Sequence, residues 1–268
     1  MTLLFVVLFI VDQDPLDQAQ ASDSLKWNLL IPDTATMSRA WEIPHDPTIE
    51  VRGLDPQQAN KIVRGFKIFM NTFKAGNQFS SGTMSCNNCH PNGGQREKAM
   101  PLVGIDRVFP EYNKRAGRFF TLEDRIIGCL LRSANATGSK KRNLLTRHEN
   151  ELQGATLDPE TDEVQALAAY IRWLSAGREI PKDIPWRGHN TLPDSVLIPV
   201  KKLSPKVGAK LYGDYCSSCH GTDGQGVDIG DKRAGPLWGP NSWNDGAGAA
   251  RTYTLAGMIR DWMPYLYP

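Results

Sequence analysis

The chain has 268 residues, of which 40% are hydrophobic and 22% are charged, a composition typical of a globular protein with room for two modest domains. Its formal net charge of +2 gives no electrostatic reason to expect a nucleic-acid partner, and we predict none. No apolar run reaches the roughly 20 residues of a membrane-spanning helix, so no spanning helix is predicted.

The first 21 residues resemble a secretory signal peptide. Residues 1–11 have the length of its apolar region, and Ala19-Gln20-Ala21 fits a small-x-small cleavage site before Ser22. A basic n-region is missing, which leaves open a start further upstream or an uncleaved anchor. We predict an exported, periplasmic protein.

Residues 22–54 contain three prolines and two tryptophans, and are predicted to form an irregular extension against the first domain. A helix should then begin after Asp55, a good N-cap, with Pro56 at its first position and Gln58 placed for a capping box. Apolar residues recur at helical spacing along it. They are Ala59, Ile62, Val63, Phe66, Phe69, Met70 and Phe73.

The motif C-x-x-C-H occurs twice, as Cys86-Asn-Asn-Cys89-His90 and as Cys216-Ser-Ser-Cys219-His220. It is the attachment signature of a c-type haem, in which both thiols bond to the haem and the histidine becomes an axial iron ligand. A zinc site built from the four cysteines is the alternative, but it needs no histidine after either pair. The sequence therefore predicts two covalently bound haems c. Their attachment outside the bacterial cytoplasm agrees with export.

The first motif lies in a predicted domain of residues 55–177. After it, residues 91–160 are loop-rich apart from a helix near Leu122–Arg132, and a second helix runs from about Thr161 to Ser175. This is the order of a class I cytochrome c, whose first and last helices cross closely. Such a crossing needs a small residue against an aromatic one, and Gly65 against Tyr170 or Trp173 would serve.

Four prolines mark residues 178–203 as a linker, and the plan then repeats in residues 204–268. Ser204 and Pro205 should start a helix through about Tyr215. Glycines in 221–226 permit a tight turn, and Gly235-Pro236-Leu237 resembles the class I segment whose proline carbonyl holds the ligand histidine. No closing helix follows, so we expect a C-terminally incomplete sequence or a partner chain that covers the gap. The predicted fold is mainly α, with two tandem class I cytochrome c domains.

Each haem iron can take a second protein ligand. In the second domain Met263 lies 43 residues after His220 and precedes a proline, as is usual in class I cytochromes. Met258 is the rival, but it falls within a helix and is predicted to be a core residue. Thioether ligation raises the reduction potential of a haem.

In the first domain a similar separation from His90, 39 residues, falls on Cys129, the one cysteine outside the motifs. Met100 follows His90 too closely to reach round the ring, and His148 is the other candidate. A thiolate ligand would lower the potential. Alternatively, Cys129 is a small buried apolar residue, as most free cysteines are.

Basic residues cluster around Cys129. From Asp106 to Arg147 there are ten basic and four acidic residues. The basic ones are Arg107, Lys114, Arg115, Arg118, Arg125, Arg132, Lys140, Lys141, Arg142 and Arg147. Some are expected to be solvated or to pair with haem propionates, but an excess of this kind beside a reactive ligand indicates an anionic substrate.

Several segments resemble the dihaem thiosulfate dehydrogenases. They are Phe109-Pro110-Glu-Tyr112-Asn-Lys-Arg115, Leu122-Glu-Asp-Arg125-Ile-Ile-Gly128-Cys129, Arg132-Ser133-Ala-Asn135, and Gly235-Pro-Leu-Trp-Gly239-Pro-Asn-Ser242-Trp-Asn244-Asp-Gly246-Ala-Gly248 running on to Met263-Pro264. The resemblance covers about residues 55–268, and its specific part is Gly-Cys followed by Arg-Ser-x-Asn.

The resemblance implies that two thiosulfate ions are joined to tetrathionate, reversibly in some members, while two electrons leave through the haems. It implies His90 and Cys129 as ligands of the active-site haem and His220 and Met263 as ligands of the second. In some members a lysine directly precedes the ligand methionine, and the two residues replace each other as iron ligand when the redox state changes. This chain has Trp262 at the position of that lysine, so no such ligand exchange is expected.

We expect Arg115, Arg118 and Arg132 to bind thiosulfate, with Ser133 as a hydrogen-bond donor. The electrons are expected to pass to a soluble or membrane-bound acceptor such as a small cytochrome c. Two other readings stay open: a dihaem electron carrier without a substrate, and a cytochrome subunit of a larger sulfur-oxidising or dehydrogenase complex.

Overall fold

The computed structural model describes residues 43–75, 79–80, 82–136, 151–152, 155–181, 183–188, 190–229 and 232–264, with backbone alone for 151–152, 155–156, 229 and 232–233. Several predictions fall outside these ranges. They concern the signal peptide, residues 22–42 of the extension, and Lys140, Lys141, Arg142, Arg147 and His148.

The described part of the chain is mainly α-helical, as predicted. Its α-helices are α1 (Pro47–Glu50), α2 (Pro56–Met70), α3 (Cys86–Cys89), α4 (Pro91–Gly94), α5 (Leu122–Arg132), α6 (Asp162–Trp173), α7 (Pro205–Tyr215), α8 (Ser217–His220) and α9 (Thr252–Trp262). None of these helices has the length and apolarity needed to cross a membrane.

Within the described ranges, short strands form three antiparallel ribbons of two strands each. They pair β1 (Glu111–Asn113) with β2 (Arg118–Phe120), β3 (Glu151–Leu152) with β4 (Ala155–Thr156), and β5 (Asp228–Ile229) with β6 (Lys232–Arg233). In the first ribbon Tyr112 lies opposite Phe119. Single 3₁₀ turns cover Thr72–Ala75, Ile105–Val108, Asp194–Val196, Val200–Lys202 and Gly248–Ala250.

The starts of the long helices follow from their caps. The Asp55 carboxylate accepts hydrogen bonds from the amides of Gln57 and Gln58, both at 3.0 Å, and α2 begins at the predicted residue. The Ser204 hydroxyl likewise accepts from the amide of Val207 at 3.3 Å, at the predicted start of α7.

The crossing of α2 and α6 centres on Gly65, as predicted. A Cβ atom at Gly65 would lie 1.9 Å from the carbonyl oxygen of Ala166 and 3.0 Å from Cβ of Tyr170. Tyr170 is fully buried, and its hydroxyl donates to the carbonyl of Gly93 at 2.7 Å. The helix pair therefore holds the segment that follows the first C-x-x-C-H motif.

The described end of the N-terminal extension, residues 43–54, lies against the same segment. The amide of His45 donates to Oε1 of Gln95 at 3.1 Å, and Nε2 of Gln95 donates back to the carbonyl of His45 at 3.0 Å. The expectation of irregular structure was incomplete, because α1 forms here. The Asp46 carboxylate caps it by accepting from the amide of Thr48 at 2.8 Å.

The second half is packed differently. Helix α7 buries none of its residues, and Val207, Leu211 and Tyr215, each four residues apart, are exposed along it. Helix α9 buries Met258 and Trp262. The predicted domain and linker boundaries stay predictions.

Candidate functional site

The first pair of cysteines occupies a single helical turn, α3. The amide of Cys86 donates to the hydroxyl of buried Thr72 at 3.1 Å, which fixes the start of the turn. Burial, reinforced by the charge of Cys129, raises the pKa of Cys86 to about 11 and that of Cys89 to about 12. Before haem is attached, both are therefore protonated thiols at neutral pH, presented together from one turn.

The adjacent histidine is held in one tautomer. Nδ1 of His90 donates to the carbonyl of Met100 at 2.6 Å. Burial lowers the pKa of His90 to about 4, against the Met100 hydrogen bond and with help from the charge of Arg125. The imidazole is thus neutral, and its Nε2 lone pair is available for a metal.

The second motif repeats this arrangement with one correction to the prediction. Nδ1 of His220 donates to the carbonyl of Gly235 at 3.2 Å, and not to that of Pro236. The Pro236 carbonyl instead accepts a hydrogen bond from the hydroxyl of Ser242 at 2.7 Å, within the same loop. Burial lowers the pKa of His220 as well.

The two carbonyl acceptors share a local sequence. Met100-Pro101-Leu102 stands in the first half where Gly235-Pro236-Leu237 stands in the second. Met100 was considered only as an axial ligand, and its part as an acceptor was missed. The repeated x-Pro-Leu after each histidine is the signal that could have found it.

Cys129 shares the first site. It lies half-buried on α5, close enough for its charge to raise the pKa of both Cys86 and Cys89. Its carbonyl accepts from the amides of Ser133 and Ala134 at 2.7 and 3.0 Å, which ends the helix. A third thiol thus lies near the first C-x-x-C-H motif.

Two glycines give Arg132 its position beside Cys129. A Cβ atom at Gly128 would lie 2.3 Å from Nη2 of Arg132, and one at Gly246 would lie 3.0 Å from its Cδ. The arginine stem therefore runs between α5 and the 235–248 loop, with its guanidinium folded back over the residue before Cys129. Arg115 reaches the same loop, with Nη1 donating to the Gly246 carbonyl at 3.4 Å.

Two other predicted arginines have structural contacts. Arg118 binds the carboxylate of Asp124 through both terminal nitrogens, at 3.0 and 2.8 Å, and its guanidinium lies 4.4 Å from the centre of the Phe120 ring. Arg107 donates to the carbonyls of Arg178 and Ile180. The part of Arg118 in binding an anion stays a prediction.

Arg125 lines a cavity of about 240 Å³ between the first hairpin and α5. The lining residues are Phe109, Glu111, Tyr112, Asn113, Lys114, Phe120 and Arg125.

The two halves meet at the C-terminal end of α5. The amide of Asn244 donates to the Arg132 carbonyl at 3.0 Å, and its Nδ2 donates to the Leu131 carbonyl at 2.8 Å and to Oδ1 of Asn135 at 3.2 Å. Both asparagines are almost fully buried. They belong to the family segments quoted above, but nothing in their sequence pattern predicts that they lie at an interface.

Met263 follows α9 directly, and its amide donates to the Ile259 carbonyl at 3.0 Å. It packs with Cys89, Met100 and Ala249 around a buried cluster that we call the junction cluster, formed by Ala99, Met258 and Trp262. Met258 is a core residue, as predicted. The ligand roles of Met263 and Cys129 stay predictions.

The residues present fit two c-type haems. Each half offers two thiols three residues apart and a neutral histidine whose Nδ1 is already bonded to a carbonyl, the donor set that covalent haem attachment requires. No three of the described His, Cys, Asp and Glu side chains converge in the arrangement of a zinc site.

Comparisons with known proteins agree with this arrangement. The SoxA/TsdA cytochrome c domain matches residues 76–180, and the cytochrome c family matches residues 206–265. The fold is therefore two cytochrome c domains in tandem, with two covalently bound haems c.

Similar whole proteins include two thiosulfate dehydrogenases. The one from Psychrobacter arcticus is 32% identical, with 87% of this chain matched to 64% of the relative. The one from Allochromatium vinosum is 35% identical, with 81% of this chain matched to 75% of the relative. A solved structure of thiosulfate dehydrogenase (TsdBA) from Marichromatium purpuratum aligns with a TM-score of 0.66 at 27% identity, covering 81% of this chain and 44% of that one. The chain thus spans only part of each relative, and it belongs to the thiosulfate dehydrogenase family.

Proposed function

We propose that this protein oxidises two thiosulfate ions to one tetrathionate ion, in a reaction that also runs in reverse. The observation that carries the proposal is the placement of Cys129, a third thiol that shares the first haem site with Cys86 and Cys89. A simple electron carrier needs no such thiol beside its haem. Family membership gives the substrate class, because the relatives are named for thiosulfate.

The arginines beside Cys129 address the electrostatic difficulty of the reaction. Two dianions must approach each other, so the site has to supply positive charge where they meet. Arg132 is held next to Cys129 by the space at Gly128, and Arg115 reaches the adjoining loop at Gly246. We assign these two guanidinium groups to thiosulfate binding, with the hydroxyl of Ser133 as a further donor.

Cys129 then serves as the covalent carrier of sulfur. Its thiolate and the outer sulfur of one thiosulfate form an S–S bond, and two electrons leave the pair. The second thiosulfate attacks that outer sulfur, the new S–S bond gives tetrathionate, and the Cys129 thiolate is the leaving group. The haems supply the one-electron acceptor chemistry that this oxidation requires.

The remaining assignments complete the proposal. His90 and Cys129 would hold the iron of a haem bound at the first motif, and His220 and Met263 that of a haem bound at the second. The two haems would supply electron transfer to an external acceptor such as a small cytochrome c. Residues 55–177 and 204–268 are the two domains, joined by 178–203. We assign the protein to the periplasm, because haem is attached to C-x-x-C-H outside the bacterial cytoplasm.

The test replaces Cys129 by Gly in the holoprotein. Thiosulfate is added to oxidised protein with an external acceptor, and haem reduction and tetrathionate are measured together. We expect no turnover although both haems remain attached, which a haem stain and the dithionite-reduced spectrum verify. Leu130→Met, a volume-conserving change at the next buried position, is the control and should keep its activity.

Wild-type rates in Cys129→Gly would refute the assigned chemistry. If thiosulfate fails to reduce wild-type protein that dithionite does reduce, the reverse assay with tetrathionate decides between a reductase and an electron carrier. A protein inactive in both directions would be a carrier, contrary to the proposal.

A further inference from the structure

The indole of Trp262 has a buried donor that the protein leaves unused. Only 4% of the side chain is exposed, and Nε1 has no acceptor among the residues that the structure describes. Another buried tryptophan, Trp186, donates its Nε1–H to the carbonyl of Val103 at 3.0 Å. A buried N–H without a partner carries the full desolvation penalty, so such groups in folded proteins normally have an acceptor.

The position of Trp262 indicates where that acceptor comes from. The residue ends α9 and is followed at once by Met263, and in the junction cluster it packs with Ala99 and Met258. Cys89, which belongs to the first C-x-x-C-H motif, packs around the same cluster. The indole is therefore next to groups that belong to both haem sites.

A bound haem c can supply the missing acceptor. Its pyrrole nitrogens are occupied by iron, so its hydrogen-bond acceptors are the oxygens of its two propionates. We propose that Nε1–H of Trp262 donates a hydrogen bond to a haem propionate. The inference rests on the haem assignment and does not depend on the thiosulfate activity.

This hydrogen bond has a measurable effect on one haem. A propionate that accepts it presents less negative charge to the iron, and the ferric state is then less favoured. Trp262→Phe keeps the aromatic packing and removes the donor, so it should shift the midpoint potential of one haem to a lower value. Which of the two potentials moves identifies the haem that provides the propionate.

The experiment is a potentiometric titration of the oxidised holoprotein followed through the haem absorption bands. Trp186→Phe is the matched control, since its donor is already satisfied by the protein; it should lower thermal stability and leave both potentials unchanged. Two unchanged potentials in Trp262→Phe would overturn the proposal. A shift of the same size in Trp186→Phe would also overturn it, because the effect would then be one of packing alone.

A second measurement uses the unmodified protein and does not depend on how the variant folds. In ¹⁵N-labelled oxidised holoprotein, the Trp262 indole N–H should be displaced by the paramagnetic iron and protected from exchange with D₂O. An indole resonance at an ordinary shift that exchanges rapidly would contradict a bond to a haem carboxylate.

Discussion

The position of the Arg132 side chain depends on two glycines that leave space for it. Gly128, one turn earlier on α5, and Gly246, on the facing loop, both leave space that the arginine fills. A methyl group at either position would meet the guanidinium or its stem. The shape of these two sites thus places the guanidinium over Gly128, the residue before Cys129.

Replacing Arg132 by Gln should reduce kcat/KM for thiosulfate by about ten- to a hundredfold. The expected loss is a charged hydrogen bond of roughly 1.5–3 kcal/mol made in the transition state. Steady-state kinetics with an artificial acceptor would measure it. Arg64→Gln, on the outer surface of α2 where the arginine pairs with Glu163, is the control and should leave the rate near the wild-type value. Equal rates for Arg132→Gln and wild type would exclude Arg132 from anion binding.

At the scale of elements, helix starts were predictable because their determinants are local. Asp55 and Ser204 each cap the helix that follows with their own side chains, so the sequence alone located the starts of α2 and α7. Thr121 caps α5 in the same way. The carbonyl acceptors of His90 and His220 were harder to predict. They lie ten and fifteen residues further along the chain, and the path of the loop determines which carbonyl comes within hydrogen-bond distance of each ring. The Gly235 and Pro236 carbonyls are neighbours, and only the Ser242 contact separates their roles.

The helix crossing gives a paired prediction from two glycines. Gly65→Ala should destabilise the holoprotein by about 1–3 kcal/mol, because its Cβ would overlap the Ala166 carbonyl and force α2 and α6 apart. Gly208→Ala on α7 meets nothing within 4 Å and should stabilise the protein by about 0.5–1 kcal/mol through helix propensity. Guanidinium denaturation followed by circular dichroism would measure both. If the two substitutions changed the free energy of unfolding equally, the close contact at Gly65 would not determine how tightly α2 and α6 pack.

The start of α5 should make stability depend on acid pH. Hydrogen bonds from Arg118 lower the pKa of the Asp124 carboxyl, while burial partly opposes them. The folded state therefore favours the carboxylate. Its contribution is present above the ordinary pKa of about 4 and is lost as the pH falls through the lower folded value.

Asp124→Asn should accordingly be less stable at pH 7, by roughly 1 kcal/mol for a weakened cap. The difference from wild type should disappear in strong acid. Thermal unfolding from pH 7 down to pH 2 would follow it, with exposed Asp183→Asn as the control. A difference that stays constant over this range would mean that the carboxylate charge is not responsible.

At the scale of the whole molecule, one buried amide joins the two halves. Asn244 bonds to the main chain of Leu131 and Arg132 and to Asn135, and its own Oδ1 accepts from the Gly246 amide at 3.0 Å. The loop that holds Arg132 is thereby tied to the end of α5. Contacts of this kind join residues more than a hundred positions apart in the chain, and neither periodicity nor composition marks them.

Replacing Asn244 by Ala should destabilise the protein by about 1–3 kcal/mol, because several buried polar groups lose a partner. Unfolding should also become less cooperative as the halves separate. Calorimetry of the holoprotein would show both effects. Asp245→Ala, its exposed neighbour, should stay within about 0.5 kcal/mol of wild type. A sharp transition at the wild-type temperature for Asn244→Ala would rule out a coupling role.

The haem motifs, the main helices and the proximity of Cys129 to the first motif could all be predicted, because each rests on spacing along the chain or on local caps. The junction of the two halves and the junction cluster could not. Trp262 was noted only because it replaces a lysine found in some relatives, and its unused donor becomes visible only once its burial is known.

The hydrogen bonds that orient His90 and His220 have an evolutionary consequence. Both acceptors are main-chain carbonyls, so the hydrogen bond itself requires no particular side chain at position 100 or 235. The two halves accordingly meet the same requirement with different residues, methionine in one and glycine in the other. What has to be preserved is the path of the backbone that brings each carbonyl to its histidine. A comparison of side-chain identities alone would overlook this requirement.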